Sequence, residues 1–296
     1  MSRTAQKILT QEYSKSQDYK MLAKFKLTLM VVLTSVLAYM IAAGGQVNWV
    51  VASLLFLGGF CVSAAANGIN QVLEKDYDAM MERTKNRPLP AERMKSSEAV
   101  LFSGLMLVFG TICLGLINPL TSFIGMCSFV LYAFVYTPLK RYSTLSVAIG
   151  AIPGALPVLI GVVAFEGTLT TFALALFLVQ FLWQFPHFWA IAYLSFDDYD
   201  KAGYKLLPRS EDGAIDRNLG AYSAMYALLI IPVVIWAQYS GVETQILAFV
   251  GIVLSTLAYA VMAVRMQIKP SRETALGLMF SSFFYLPTVL ALYLIG

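Results

Sequence analysis

The stretch Asn67-Gly68-Ile69-Asn70-Gln71-Val72-Leu73-Glu74-Lys75-Asp76-Tyr77-Asp78, followed by Glu82-Arg83-Thr84-Lys85-Asn86-Arg87-Pro88, sets amides, carboxylates and bases at the end of a long apolar run. At about 3.6 residues per turn, Asn67, Asn70, Glu74 and Asp78 fall on one face of a continuous helix, with Asp76 pointing elsewhere. Amide and carboxylate oxygens in one row suit a hard cation such as Mg²⁺, which binds through one or two carboxylates plus substrate phosphates. Arg83, Lys85 and Arg87, just beyond, are suited to neutralising phosphate oxygens. The simpler reading is a solvated helix end whose acids pair with nearby bases. Against it, Asn67 and Asn70 lie deeper in the run, where polar side chains are costly and mark function. The row points to metal-diphosphate chemistry at a membrane surface.

Composition supports the membrane. The chain has 296 residues, 58% hydrophobic and 13% charged, with a mean hydropathy of +0.70. Soluble domains carry about 25% charged residues. Cys61, Cys113 and Cys127 all lie inside apolar segments without metal-ligand spacing, which argues against a disulfide framework or a zinc site. The first twenty-six residues are polar and mixed in charge, so the apolar run that begins near Leu27 reads as a retained anchor rather than a signal peptide.

Apolar runs long enough to span fall at about 25–43, 49–72, 98–116, 120–138, 145–165, 170–194, 219–239, 245–264 and 274–295. The expected fold is an all-α bundle of nine transmembrane helices forming a single domain, preceded by a polar segment over 1–24. All 21 Lys and Arg lie in the N-terminal segment up to Lys26 or in the connections after the second, fourth, sixth and eighth spans. Of the 17 acids, only Glu166 and Glu243 fall in the alternate connections. The positive-inside rule then sets the N-terminus and the charged loops in the cytoplasm and the C-terminus outside.

Three further constellations bear on function. The loop Phe196-Asp197-Asp198-Tyr199-Asp200-Lys201-Ala202-Gly203-Tyr204-Lys205 falls at the level of the first motif, so Asp198 and Lys201 are candidates to face it. Taken alone it is equally an exposed charged turn. In the sixth span Gln180, Gln184 and His187 share a face beside Trp183, either as interhelical hydrogen-bonding groups or as the lining of an acceptor cavity. Lys140, in Tyr136-Thr137-Pro138-Leu139-Lys140-Arg141, is an interfacial anchor that can also reach a phosphate.

Together these segments resemble the UbiA superfamily of intramembrane prenyltransferases. Asn70-x-x-x-Glu74-x-x-x-Asp78 and Glu82-Arg83-Thr84-Lys85-Asn86-Arg87-Pro88-Leu89 are similar to its first motif, and Asp198-Tyr199 with Ala202-Gly203 and Leu207-Pro208 to its second acidic loop. Trp183-Gln184-Phe185-Pro186-His187-Phe188 and Gly150-Ala151-Ile152-Pro153-Gly154-Ala155-Leu156-Pro157 are similar to the branch whose acceptor is haem. Glu74 stands where aspartate is usual, Val158 where a second proline is common, and Lys205 where proline is frequent.

The resemblance implies an enzyme of haem biosynthesis that transfers a farnesyl group from farnesyl diphosphate to a vinyl group of haem b, giving haem O. It implies Mg²⁺ as cofactor, held by Asn70, Glu74, Asp78 and Asp198, which form the catalytic set. Arg83, Lys85, Arg87, Lys140 and Lys201 would hold the diphosphate, and Gln180, Trp183, Gln184 and His187 would line the acceptor cavity. It further implies a bacterial-type cell membrane and a place near haem A synthase or terminal-oxidase assembly. The alternatives are prenylation of an aromatic quinone precursor and, from another class, a secondary transporter with two related halves.

Overall fold

The computed structural model describes residues 13–242 and 244–296; residues 1–12 and Glu243, one of the two acids assigned to the outer side, lie outside the described residues. Nine helices among the described residues are long and apolar enough to cross a membrane: α2 (Phe25–Ala43), α3 (Trp49–Leu73), α5 (Ser96–Gly115), α6 (Pro119–Leu139), α7 (Ser146–Glu166), α8 (Thr171–Leu194), α10 (Leu219–Tyr239), α11 (Ile246–Ile268) and α12 (Arg272–Ile295). Three short helices lie at the charged end: α1 (Lys15–Leu22), α4 (Lys75–Met80) and α9 (Phe196–Lys201). The expected all-α bundle is what forms. Some bounds differ: α5 takes in two polar residues before its apolar run, and α11 runs on to Ile268, with Arg265 in its last turn. Hydropathy stops at the first charge, whereas the backbone hydrogen bonds continue into the interface.

Sequence chemistry starts and stops these helices. Asn48 caps α3, its side chain accepting from the Val50 and Val51 N–H groups. Asn118 caps α6 ahead of Pro119, whose missing N–H costs nothing in the first turn. Ser271 and Thr274 form a reciprocal cap on α12. Gly167 ends α7 in the left-handed region at φ 73°. Pro153 and Pro157 sit inside α7. Pro157 leaves the Pro153 carbonyl without its helical donor, and the Ser128 hydroxyl of α6 donates to it at 3.4 Å.

The spans pack sequentially, α2 on α3, α3 on α5, α5 on α6 and so on to α12, which returns to both α8 and α2. Helices α7 and α8 are the most enclosed. Small residues set the close approaches. A Cβ on Gly110 of α5 would lie 2.8 Å from the Gly58 carbonyl oxygen of α3, and one on Gly161 of α7 only 2.0 Å from the Ser35 carbonyl oxygen of α2. The outer faces carry exposed Met30, Leu101, Phe123, Leu247 and Phe284, the surface a lipid solvent requires.

At the charged end α1 straps the first loop to the bundle. Asp18 is buried against Arg93 at 2.9 Å, and Arg93 also donates to the Asn86 carbonyl at 2.8 Å. Gln71 donates to the Met21 and Leu22 carbonyls, and Leu22 joins Leu89, Met94 and Ala99 in a small separate core. The described part of the N-terminal segment is thus docked rather than free.

If backbone proximity at Gly161 holds α2 against α7, Gly161→Leu should lower stability in detergent by at least about 1–3 kcal/mol, read as a loss of monodisperse protein on heating. Gly104→Leu, where a Cβ meets nothing within 4 Å, should melt like the parent. Equal behaviour of the two variants would contradict the packing argument.

Candidate active site

Helix α3 does not run on through the acidic row. It ends at Leu73, and Glu74 leaves helical geometry at φ −106°, ψ 9° before α4 begins at Lys75. The single continuous helix expected from the spacing is therefore corrected to two helices with Glu74 at the joint. The row survives because the joint is tight: the Asp78 N–H donates to the Glu74 carbonyl at 2.7 Å. Asn70, Glu74 and Asp78 are all buried, while Asp76 points to solvent.

Each buried group is met by a partner from elsewhere in the chain. Asn70 donates to Glu74 Oε2 at 2.9 Å and to Thr137 Oγ1 at 3.0 Å, and accepts from Lys24 Nζ at 2.8 Å. Asn67 donates to Thr28 Oγ1 at 3.0 Å and accepts from the Tyr132 hydroxyl at 3.4 Å. Glu74 forms a buried ion pair with Lys140. Asp78 pairs with Arg87 at 2.7 Å through Oδ2, while its Oδ1 is buried without a hydrogen-bond partner.

The electrostatics follow from this crowding. Burial pushes the Glu74 carboxyl up, but Lys140 and then Lys24 pull it below the usual carboxylate range. For Asp78 burial wins over Arg87, and its carboxyl lies above the usual range. Burial, with Arg87 and Lys140 nearby, brings the Lys24 ammonium down to about 7. Lys24 holds a left-handed backbone at φ 46°, an uncommon geometry for a side chain of this size.

The other candidates stand apart from this cluster. Asp198 meets the first loop at its rim, accepting from the Glu82 N–H at 3.4 Å rather than joining Glu74 and Asp78. Arg83 stacks on Tyr199, its guanidinium carbon 4.4 Å from the ring centroid. Lys85 pairs with Glu82 at 2.5 Å on the surface, and Lys201 is exposed. Among the described residues no three His, Cys, Asp or Glu side chains converge, so the four-residue ligand set does not close as one cage here. Asn70, Glu74 and Asp78 alone fit Mg²⁺ completed by phosphate oxygens, and the orphaned Asp78 Oδ1 is a donor atom of the right kind.

The sixth-span stripe divides. Gln184 turns to α7, donating to the Ala151 carbonyl at 2.9 Å across Gly154, where a Cβ would collide with its amide oxygen. Trp183 and His187 turn to α12: Trp183 Nε1 donates to the Ser282 carbonyl at 3.0 Å, and His187 Nδ1 lies 2.7 Å from the Ser282 hydroxyl. His187 also stacks on Trp183, with centroids 4.8 Å apart. Gln180 is buried with its Oε1 unpartnered. Trp183, Gln184 and His187 thus make interhelical contacts, whereas the buried Gln180 side chain does not.

Residues that the sequence did not single out complete the cluster: Lys24, Thr137, Tyr132 and Tyr204. Tyr204 is buried between the two loops, with the Lys140 ammonium 5.2 Å from its ring centroid. Lys24 and Thr137 carry a sequence signal only as polar residues at span boundaries, and Tyr132 and Tyr204 carry none.

The UbiA prenyltransferase family profile matches residues 31–285. The chain is 39% identical over 277 residues to the protoheme IX farnesyltransferase of Cytophaga hutchinsonii, covering 93% of this chain and 96% of that protein. It is 38% identical to the protein of the same name from Christiangramia forsetii, covering 94% and 92% of the two chains. Among solved structures, the fold is similar to that of a digeranylgeranylglyceryl phosphate synthase, with a TM-score of 0.79 at 19% identity over 95% of this chain and 98% of the other. It is also similar to a UbiA homologue from Archaeoglobus fulgidus bound to GPP and Mg²⁺, with a TM-score of 0.64 at 15% identity over 93% and 99%. Matched by the family profile and by these relatives over nearly its whole length, the chain belongs to the UbiA prenyltransferase family.

Proposed function

We propose that this protein transfers the farnesyl group of farnesyl diphosphate to a vinyl group of haem b, giving haem O on the route to haem A. The observation that carries the reading is the buried cluster Asn70–Glu74–Asp78, with Lys24, Lys140 and Arg87 set against it at one end of an apolar bundle. Relatives named protoheme IX farnesyltransferase, aligned over more than nine-tenths of the chain, supply the acceptor. That name sets aside the quinone-precursor alternative, and membership in an enzyme family sets aside the transporter.

In this reading Asn70, Glu74 and Asp78 hold Mg²⁺, which supplies positive charge to the leaving diphosphate. Asp198, at the rim, is the candidate to complete the site from the second loop. Lys140 and Arg87 exchange their carboxylate partners for phosphate oxygens, with Arg83, Lys85 and Lys201 receiving the diphosphate at the mouth. The bundle keeps water from the allylic centre as the C–O bond breaks and its electron pair leaves with the diphosphate. The half-buried rings of Tyr132 and Tyr136, 5.4 Å apart, can face the resulting cation. The vinyl group's terminal carbon attacks it, and water adds to the cation left on the haem side chain, releasing a proton. Trp183, Gln184 and His187 support the acceptor wall by fixing α7, α8 and α12 together, and the unpartnered Gln180 Oε1 is left to meet the acceptor. The charged end faces the cytoplasm of a bacterial-type cell membrane, with the C-terminus outside, and haem A synthase or an oxidase assembly is a fitting neighbour.

Purified protein given haem b, farnesyl diphosphate and Mg²⁺ in detergent should form haem O by mass spectrometry, and EDTA should abolish it. No haem O from intact protein beside a working control would end this reading. Lys140→Met, which strands Glu74 in a buried site, should cost about 3–5 kcal/mol of stability. Adding Glu74→Gln should restore most of that stability but not turnover, a split visible by melting and assay together. For orientation, Gln46→Cys should react with an impermeant thiol reagent in intact cells and Ser210→Cys only after lysis. The reverse pattern would invert the topology.

A further inference from the structure

Tyr204 is 2% exposed, yet its hydroxyl has no partner at hydrogen-bonding geometry. Its ring is held firmly. Tyr77 and Tyr199 lie with centroids 5.9 and 6.0 Å away, and Lys140 sits over the face at 5.2 Å. Backbone bonds pin the loop on both sides: the Tyr204 N–H donates to the Tyr199 carbonyl at 2.9 Å, and the Lys205 N–H to the Lys140 carbonyl at 2.7 Å. Gly203, at φ 70°, supplies the turn that brings the ring inward.

The hydroxyl lies beside the Glu74 carboxylate, with Asp78 close by. Next to it Asp78 Oδ1 is also buried without a partner. A buried donor and a buried acceptor, both unmet within a few residues of paired charges, are costly to keep for packing alone. An anion carried with a divalent cation answers both: its oxygen accepts from the phenol, and the cation meets the carboxylate.

We propose that the Tyr204 hydroxyl is a diphosphate contact, donating to an oxygen of the leaving group at the Glu74–Lys140 joint. This rests on the diphosphate reading above. It gives the second loop a direct part in substrate binding through Tyr204, in addition to its acids. No proton is transferred. The hydrogen bond shortens onto the oxygen that gains charge as the C–O bond breaks.

Tyr204→Phe keeps the ring and removes only the hydroxyl. Full-length protein in detergent, titrated calorimetrically with Mg²⁺ and inorganic pyrophosphate, should bind roughly tenfold more weakly as the Phe variant, the size expected for losing one hydrogen bond to a charged group. The KM for farnesyl diphosphate and the inhibition constant of pyrophosphate should rise together, because headgroup and free product share the contact. Without pyrophosphate the Phe variant should melt at or above the parent temperature, since it loses an unpaired buried hydroxyl. An unchanged pyrophosphate affinity overturns the assignment, and so does a Phe variant that melts lower or fails to assemble, because the hydroxyl then serves the fold. Failure of the parent itself to bind Mg²⁺-pyrophosphate removes the diphosphate reading, a different result from parent binding that Phe leaves intact.

Discussion

The charged end of this protein depends on keeping two carboxylates, Glu74 and Asp78, buried at the edge of an apolar bundle. Removing a carboxylate from water is expensive unless cations and donors replace the lost hydration. Here Lys140, Arg87 and Lys24 supply the charge, and Asn70 ties Lys24 and Glu74 together. No two of those three cations come from the same element. The first strap, the first loop and the end of α6 must therefore all be in place before the site exists.

Helix α6 shows how the backbone meets that demand. Over Leu131–Tyr136 it widens into a π-helical segment, a feature common at functional sites. The Thr137 N–H and hydroxyl both reach back to the Tyr132 carbonyl, and Thr137 Oγ1 accepts from Asn70. A single inserted residue rotates the rest of the helix by about 100°, which sets Thr137 and Lys140 on the side of α3 instead of turned from it. The same segment packs the Tyr136 ring against Gly150, where even a Cβ would meet the ring at 2.6 Å.

The resting ion pairs also suit the proposed chemistry. A buried pair contributes little net stability over an apolar replacement, so exchanging a carboxylate for a phosphate oxygen loses little that the fold needs. The bases stand ready at the acids they must release. The N-terminal strap and the loop from Phe196 to Leu207 limit how far those side chains can move, holding the exchange to small displacements. The stripe on α8 is treated differently: His187, Trp183 and Gln184 join α8 to its neighbours, which makes them part of the bundle's rigidity.

Much of this was legible in the chain itself. Nine apolar runs separated by charge-bearing and charge-free turns determined the all-α membrane bundle, because a lipid solvent leaves a hydrophobic segment few alternatives to a helix. The row Asn70, Glu74, Asp78 pointed to the candidate site, since an amide such as Asn70 is rare within a membrane span. Periodicity did not reveal the break at Glu74, which local spacing cannot distinguish from a continuing helix. Nor did it show that Lys24 and Tyr204, far apart in the chain, close on the same carboxylate, or that Asp198 stops at the rim. Which cation neutralises which acid, and which polar side chain faces a partner helix, depends on long-range packing. A pair formed across tens of residues leaves no period in the sequence, and only the tertiary structure decides it.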